Sequence, residues 1–253
     1  MSSIPWMPPN GALHGIALDH LMRWNLLALV TLFCLAHILL IIALLRRKKR
    51  IPHPDAAKAG FGLAKFVALL ALCVLYIWMA VTAEHLWAAN RFEGASPEAL
   101  QVEVVGVQFQ WYFRYPGQDA AFGITRPQLV SPAVGNPLGL DPDDPHSHDD
   151  VVSSILILPA GHEVDLRLRA FDVIHGFFIP GMRLKQNAVP GLVLHVHFTP
   201  QLPGTYPILC SQVCGLGHSR MQAQLHVLPQ TEYDKWIAAR EHSNLAAQAS
   251  ATP

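Results

Sequence analysis

Two long apolar runs separated by a block of cations restrict what this chain can fold into. Trp24 to Leu45 contains no Lys, Arg, Asp or Glu. A bilayer core takes about 20 such residues as helix. Phe61 to Ala83 is a second run, with Lys65 its one charge. Lys65 lies near one end, where its ammonium can snorkel to the interface. Trp24, Trp78 and Trp87 fall at or near the ends of the runs, as interfacial aromatics do. Between the runs stands Arg46-Arg-Lys-Lys-Arg50. By the positive-inside rule this short loop faces the cytoplasm and both termini lie outside. A cleaved signal peptide fits less well, because the first run exceeds the usual signal core and ends in arginines. The expected layout is a hairpin over residues 1–97, with spans near 24–45 and 61–83 and a cytoplasmic loop 46–60.

Composition agrees with an anchored protein. The chain of 253 residues is 51% hydrophobic and 14% charged, with mean hydropathy +0.27 and no net charge. A nucleic-acid partner would call for a basic face, which this balance does not supply. The four cysteines do not form a disulfide framework. Cys34 and Cys73 lie singly in the apolar runs and read as small apolar residues. His37 reads as a helix-packing residue.

From about Glu98 the texture changes to short hydrophobic segments punctuated by Pro and Gly. Gln101–Tyr115, Ser153–Leu158, Glu163–Ala170, Leu192–Thr199, Thr205–Leu209 and Met221–Leu228 read as strands. This spacing predicts a β-sandwich or barrel over residues 98–242. Thr231–His242 reads as a terminal helix packing Tyr233 and Trp236, and 243–253 as a flexible tail. Residues 122–150 form a Pro- and Asp-rich insertion without a period. They read as a solvated loop or subunit contact, with a divalent-metal or acidic docking site as the sharper alternative.

The chemistry concentrates in Cys210-Ser-Gln-Val-Cys214-Gly-Leu-Gly-His218-Ser-Arg-Met221. Two thiols, an imidazole and a thioether lie within one short loop, and His175 can join them from another. Soft sulfur with imidazole suits copper. Zinc competes, because two Cys and two His make a closed tetrahedral site. Met221 favours copper, since thioether is a copper-type ligand. C-type haem is disfavoured, because no Cys-x-x-Cys-His occurs. His195 and His197 share one face of a strand and read as a hydrogen-bonded pair, a subunit contact or, less well, a second metal site.

Asp172-Val-Ile-His175-Gly-Phe, Ala188-Val-Pro-Gly191 and the Cys210–Met221 loop, with Gln108-Phe-Gln-Trp-Tyr-Phe113, resemble subunit II of haem–copper oxidases. That resemblance covers nearly the whole chain. It implies an α+β membrane protein: a two-helix transmembrane hairpin, then an all-β Greek-key cupredoxin-like barrel and a short C-terminal helix. It implies a dinuclear copper centre, CuA, with Cys210 and Cys214 bridging both coppers. His175 and His218 would each bind one copper, Met221 would be a weak thioether ligand, and Gln212 would ligate through its backbone carbonyl. The subunit would accept electrons from a c-type cytochrome and pass them to haem in the large membrane subunit. It would do no bond chemistry itself, and oxygen would be reduced in the partner. Phe109 and Trp111 would carry electrons in, and Asp172 would be a docking carboxylate. The implied location is the inner (plasma) membrane, with the β-domain on the periplasmic side.

The chain departs from the family in places. Gln212 and Asn187 stand where carboxylates help bind a shared magnesium ion, and amides are poorer ligands for a hard cation, which puts magnesium in doubt. No Glu stands near the start of the second span, where the family tends to place one for proton uptake. A rival within the same chemistry is the CuA subunit of a nitric oxide reductase. A membrane-anchored copper-delivery protein and a structural zinc module are rivals of other classes.

Overall fold

The computed structural model describes residues 7–47, 62–91 and 94–251. Residues 48–61, which hold most of the basic loop, lie outside the described residues.

Two long helices come first: α1 (Gly15–Arg47) and α2 (Leu63–Arg91). Both are long and apolar enough to cross a membrane. Each extends beyond its apolar run, α1 upstream to Gly15 and α2 downstream to Arg91. The added residues include Leu18, Leu21, Met22, Glu84, Leu86 and Ala88, which favour helix in or out of lipid. Cys34 and Cys73 are exposed on these helices as free thiols. His37 Nδ1 bonds the Phe33 carbonyl of its own helix at 2.8 Å.

The second unit is all β until its last helix. One sheet has the order β3 (Val151–Ser153), β2 (Gln110–Tyr115), β1 (Leu100–Val107), β5 (Val164–Ala170), β8 (Leu194–Phe198). The other runs β4 (Leu156–Pro159), β10 (Gln222–Leu228), β9 (Gly204–Cys210), β6 (His175–Ile179), β7 (Leu184–Ala188). β1 pairs with β5, and β4 with β10, in parallel; the other pairs are antiparallel. Alternating side chains fill the space between: Val102, Val104, Phe113, Leu166 and Leu168 from one sheet, Phe177, Ile179, Ile208, Leu225 and Val227 from the other. The Tyr115 hydroxyl donates to the Ile157 carbonyl and accepts from the Ile157 N–H, at 3.0 and 2.7 Å. That exchange ties β2 to β4 across the two sheets.

Several strand expectations need correction. The stretch 101–115 is a hairpin, not one strand, with Val107 opposite Gln110. The stretch 153–158 divides between two strands in different sheets. β6 and β7 fall outside the expected strands, and His175 opens β6 rather than sitting in a loop. The last helix, α3, runs Gln230–Ala251, past His242 and through most of the expected flexible tail. Leu245-Ala-Ala-Gln-Ala supplies strong helix formers there. Trp236 of α3 packs edge-on against Tyr115, with ring centroids 5.0 Å apart.

The insertion is folded onto the outer face of the first sheet. Glu103 of β1 pairs with Arg114 of β2 (3.0 Å) and Arg169 of β5 (2.9 Å). Arg114 also donates to the Gly123 carbonyl at 2.9 Å and lies 3.4 Å from Asp150. Phe122 sits between the Arg114 and Arg167 guanidiniums, 4.8 and 4.9 Å from its ring centre. Three of the insertion's acidic groups are engaged locally: Asp141 with Arg126, Asp144 with the Ile124 and His146 N–H groups, and Asp149 with the Gln118 and Asp119 N–H groups just upstream. Among the described residues, the one His, Cys, Asp or Glu grouping close enough to hold a metal lies elsewhere, at His175, Cys210 and Cys214. His195 Nδ1 likewise meets Asp165 at 2.8 Å.

The N-terminal segment belongs to this β unit. Gly11 donates to the Gly181 carbonyl (2.8 Å) and accepts from Gln201 (2.7 Å), and Leu13 donates to the Thr199 carbonyl (3.0 Å). Ala12 is buried between them.

Candidate metal centre

Three segments converge at one end of the sandwich. β6 opens with His175, whose ring is fully buried. β9 ends at Cys210, and the loop 211–220 returns to β10 through Met221. The Cys210 N–H donates to the Met221 carbonyl at 3.1 Å, closing the base of the loop. One ligand atom each from His175, Cys210 and Cys214 lies within 4.8 Å of the others. The two sulfurs are 3.8 Å apart. Cys214 Sγ lies 3.8 Å from Met221 Sδ and 3.7 Å from His218 Nδ1. The Gln212 carbonyl lies 3.2 Å from Cys210 Sγ. All six residues singled out as ligands are therefore brought together around the two sulfurs.

Glycine makes the close packing possible. A Cβ on Gly176 would fall 2.4 Å from Ser211 Oγ and 2.8 Å from the Gln212 nitrogen. A Cβ on Gly217 would fall 2.3 Å from the Phe109 ring. Phe109, at the β1–β2 turn, therefore lies directly over the ligand loop, and it is partly exposed. Trp111 is fully buried beneath, its ring edge-on to His175 with centroids 5.8 Å apart. Of these two aromatics, only Phe109 reaches the surface; Trp111 has no face to offer a partner.

Asp172 is exposed at the edge of the site, and its carboxylate is engaged there. Its carboxylate accepts from His175 Nε2 (2.8 Å), from the Gln108 N–H (2.7 Å) and from the Val173 N–H (2.7 Å). Burial alone would raise its pKa, but these hydrogen bonds outweigh burial and hold the carboxyl below its ordinary value. The bond to Asp172 assigns the proton to Nε2 of His175. Nδ1 is left buried with no partner from the protein. A histidine held by a carboxylate on one nitrogen, with the other lone pair free, is the usual arrangement of a metal ligand. Burial, then the neighbouring Cys210 thiol, push the Cys214 thiol up to about 11. Without a cation this thiol stays neutral, and a bound cation would displace its proton. The donor set of two thiols, a thioether, two imidazoles and a carbonyl is soft and fits copper.

Sequence reading missed Gln108, whose side-chain amide donates to the Cys214 carbonyl at 2.6 Å. Its place before the aromatics was visible; its partner, 106 residues away, was not. Gln212 and Asn187 flank Gly176, one across the loop and one across the sheet. Both are amides.

A β-sandwich that gathers thiols, imidazoles and a thioether at one end presents a grouping that could hold a soft metal ion. The family described as "Cytochrome C oxidase subunit II, periplasmic domain" matches residues 100–227, half of the chain. The chain belongs to the cytochrome c oxidase subunit II family. It is 39% identical over 160 residues to an "Alternative cytochrome c oxidase subunit 2" of Bradyrhizobium diazoefficiens, covering 62% of this chain and 57% of that one. It is 30% identical over 161 residues to "Cytochrome c oxidase subunit 2" of Synechocystis sp., covering 64% and 39%. The chain thus spans about half or less of these relatives' length. Among solved structures, the periplasmic domain of subunit II of the Bradyrhizobium japonicum cytochrome oxidase is similar, with TM-score 0.44 and 22% identity, covering 59% of this chain and 99% of that one.

Proposed function

We propose that this chain is the electron-accepting subunit of a respiratory haem–copper oxidase. It takes electrons from a c-type cytochrome at a dinuclear CuA centre and passes them to haem in the large subunit. The observation that carries this reading is the convergence of His175, Cys210 and Cys214 within 4.8 Å, with Met221, His218 and the Gln212 carbonyl around the same two sulfurs. Cys210, Cys214, His175, His218, Met221 and the Gln212 carbonyl would hold the copper pair, which would supply one exchangeable electron. Asp172 orients the His175 ring, and Trp111 excludes water from its inner edge. Phe109 offers partner proteins a partly exposed aromatic surface over the loop. In this reading the chain carries electrons, and reduction of oxygen falls to the large subunit.

Membrane topology rests on two supports. The helices are long and apolar enough to cross a bilayer. The segment before α1 is hydrogen-bonded into the β-domain, so an even number of crossings separates the two. A hairpin satisfies this, with the β-domain on the periplasmic side of the plasma membrane and the basic loop inside. Cleavage of α1 as a signal would cut away residues 10–13, which pack in the domain.

The test is copper content and electron paramagnetic resonance of the full-length chain, purified in detergent and loaded with copper. Two coppers per chain with one unpaired spin shared over both are expected. One copper with a localised signal, or a preference for zinc, would overturn the proposal.

A further inference from the structure

We propose that Gln108 is a positioning residue: its side chain holds the Cys214 carbonyl and its backbone holds Asp172, so that one turn clamps both ligand-bearing segments beneath Phe109. The proposal rests on the copper-centre reading for its purpose, but its geometry stands without a metal. The Gln108 amide donates to the Cys214 carbonyl at 2.6 Å, and the Gln108 N–H donates to Asp172 at 2.7 Å. Asp172 in turn accepts from His175 at 2.8 Å. A thiol ligand and an imidazole ligand, carried on different segments, are thereby joined through one residue. The next residue along, Phe109, lies against Gly217 and Gly215 of the same loop. The clamp fixes the loop and the exposed aromatic together, so the contact between them cannot slip without breaking a hydrogen bond.

The test compares the full-length chain in detergent with Gln108→Met, which keeps length and neutrality but cannot donate. Gln108→Glu is the second isosteric variant, should the first not fold. Both retain the backbone N–H to Asp172. In metal-free protein, hydrogen exchange across residues 211–220 should quicken by about three- to tenfold, the range one net hydrogen bond confers. Exchange in β1 and β2 should not change. In copper-loaded protein, a chelator should extract the metal faster by a similar factor, and the paramagnetic resonance spectrum should broaden as the site becomes heterogeneous. Unchanged loop exchange would overturn the proposal. So would equal quickening in β1 and β2, or misfolding of both variants, since each would make Gln108 a general folding residue. If the unaltered chain takes up no copper, the copper-centre reading fails, and the exchange measurement still decides the clamp.

Discussion

Gly176→Ala tests whether the ligand loop is set by contact with β6. Gly176 has an ordinary strand conformation, so alanine adds a steric effect alone. Its Cβ would meet Ser211 Oγ at 2.4 Å, the Gln212 nitrogen at 2.8 Å and the Ser211 carbonyl carbon at 2.9 Å. The hydroxyl can rotate away; the two backbone atoms cannot. Restoring the Gln212 nitrogen to an ordinary 3.4 Å contact needs a shift of about 0.6 Å. The Ser211 N–H bond to the Gly176 carbonyl, now 2.8 Å, resists that shift. Metal–ligand distances tolerate about 0.2 Å, so the displaced Gln212 carbonyl and Cys210 no longer match one centre. Overpacking of this kind costs about 1–3 kcal/mol of stability. A disturbed supporting shell lowers metal affinity by about 10- to 100-fold. The assay is chelator competition with copper-loaded full-length chain, beside circular dichroism of the β-domain. A variant that folds, keeps the wild-type copper affinity and shows an unchanged copper spectrum would refute the argument.

Two further outcomes are expected. Met221→Leu should retain copper, cost less than about 1.5 kcal/mol because the two side chains match in volume, and raise the reduction potential by removing a weak axial donor; an unchanged potential in a redox titration would count against Met221 as a ligand. Asp150→Asn should remove a pH dependence of stability. Burial, opposed by Arg114, pushes Asp150 from an ordinary 3.8 up to about 7. The folded state therefore binds a proton that the unfolded state has lost, so stability is full below about pH 4 and falls as the pH rises to about 7. The loss is on the order of 4 kcal/mol. The asparagine variant should match the parent near pH 4 and exceed it at pH 8 in denaturant unfolding; a difference independent of pH would exclude this origin.

What the sequence reveals and hides follows from where each constraint acts. The Cys210–Met221 loop is legible because metal ligation calls for particular side chains at short spacing, and Cys210, Cys214, His218 and Met221 are such side chains. The apolar runs are legible because a bilayer leaves little choice of residue. The β1–β2 hairpin is hidden, because Gln108-Phe109 carries no Asn-Gly or Asp-Gly turn signal. That turn is held instead by Asp172, 64 residues away, and by Cys214, 106 residues away. β7 is hidden because Leu184-Lys-Gln-Asn-Ala188 is half polar and lies at a sheet edge. The insertion misleads for a related reason. Glu103, Arg114 and Arg169 alternate with apolar residues as a solvated strand face would, yet Glu103 and Arg114 are buried. Their charges are matched by one another and by the segment that covers them.

The same contacts set how the site should respond to change. Cys210 and Met221 are joined at the loop's base by a main-chain bond, and His175 is held by its strand and by Asp172. Residues 211–220 are what remains free to move. They are tied at three places: Ser211 to Gly176, Cys214 to Gln108, and Gly217 under Phe109. A site that exchanges electrons gains from ligands that do not move when its charge changes, because any motion adds to the barrier. Three separate ties on one short loop supply that restraint without a rigid helix or a disulfide. Two of them, through Gln108 and Phe109, share one turn, while the third lies at Gly176, and this makes a definite demand. Releasing one tie should loosen metal retention by a modest factor, whereas forcing the backbone itself apart, as at Gly176, should cost far more.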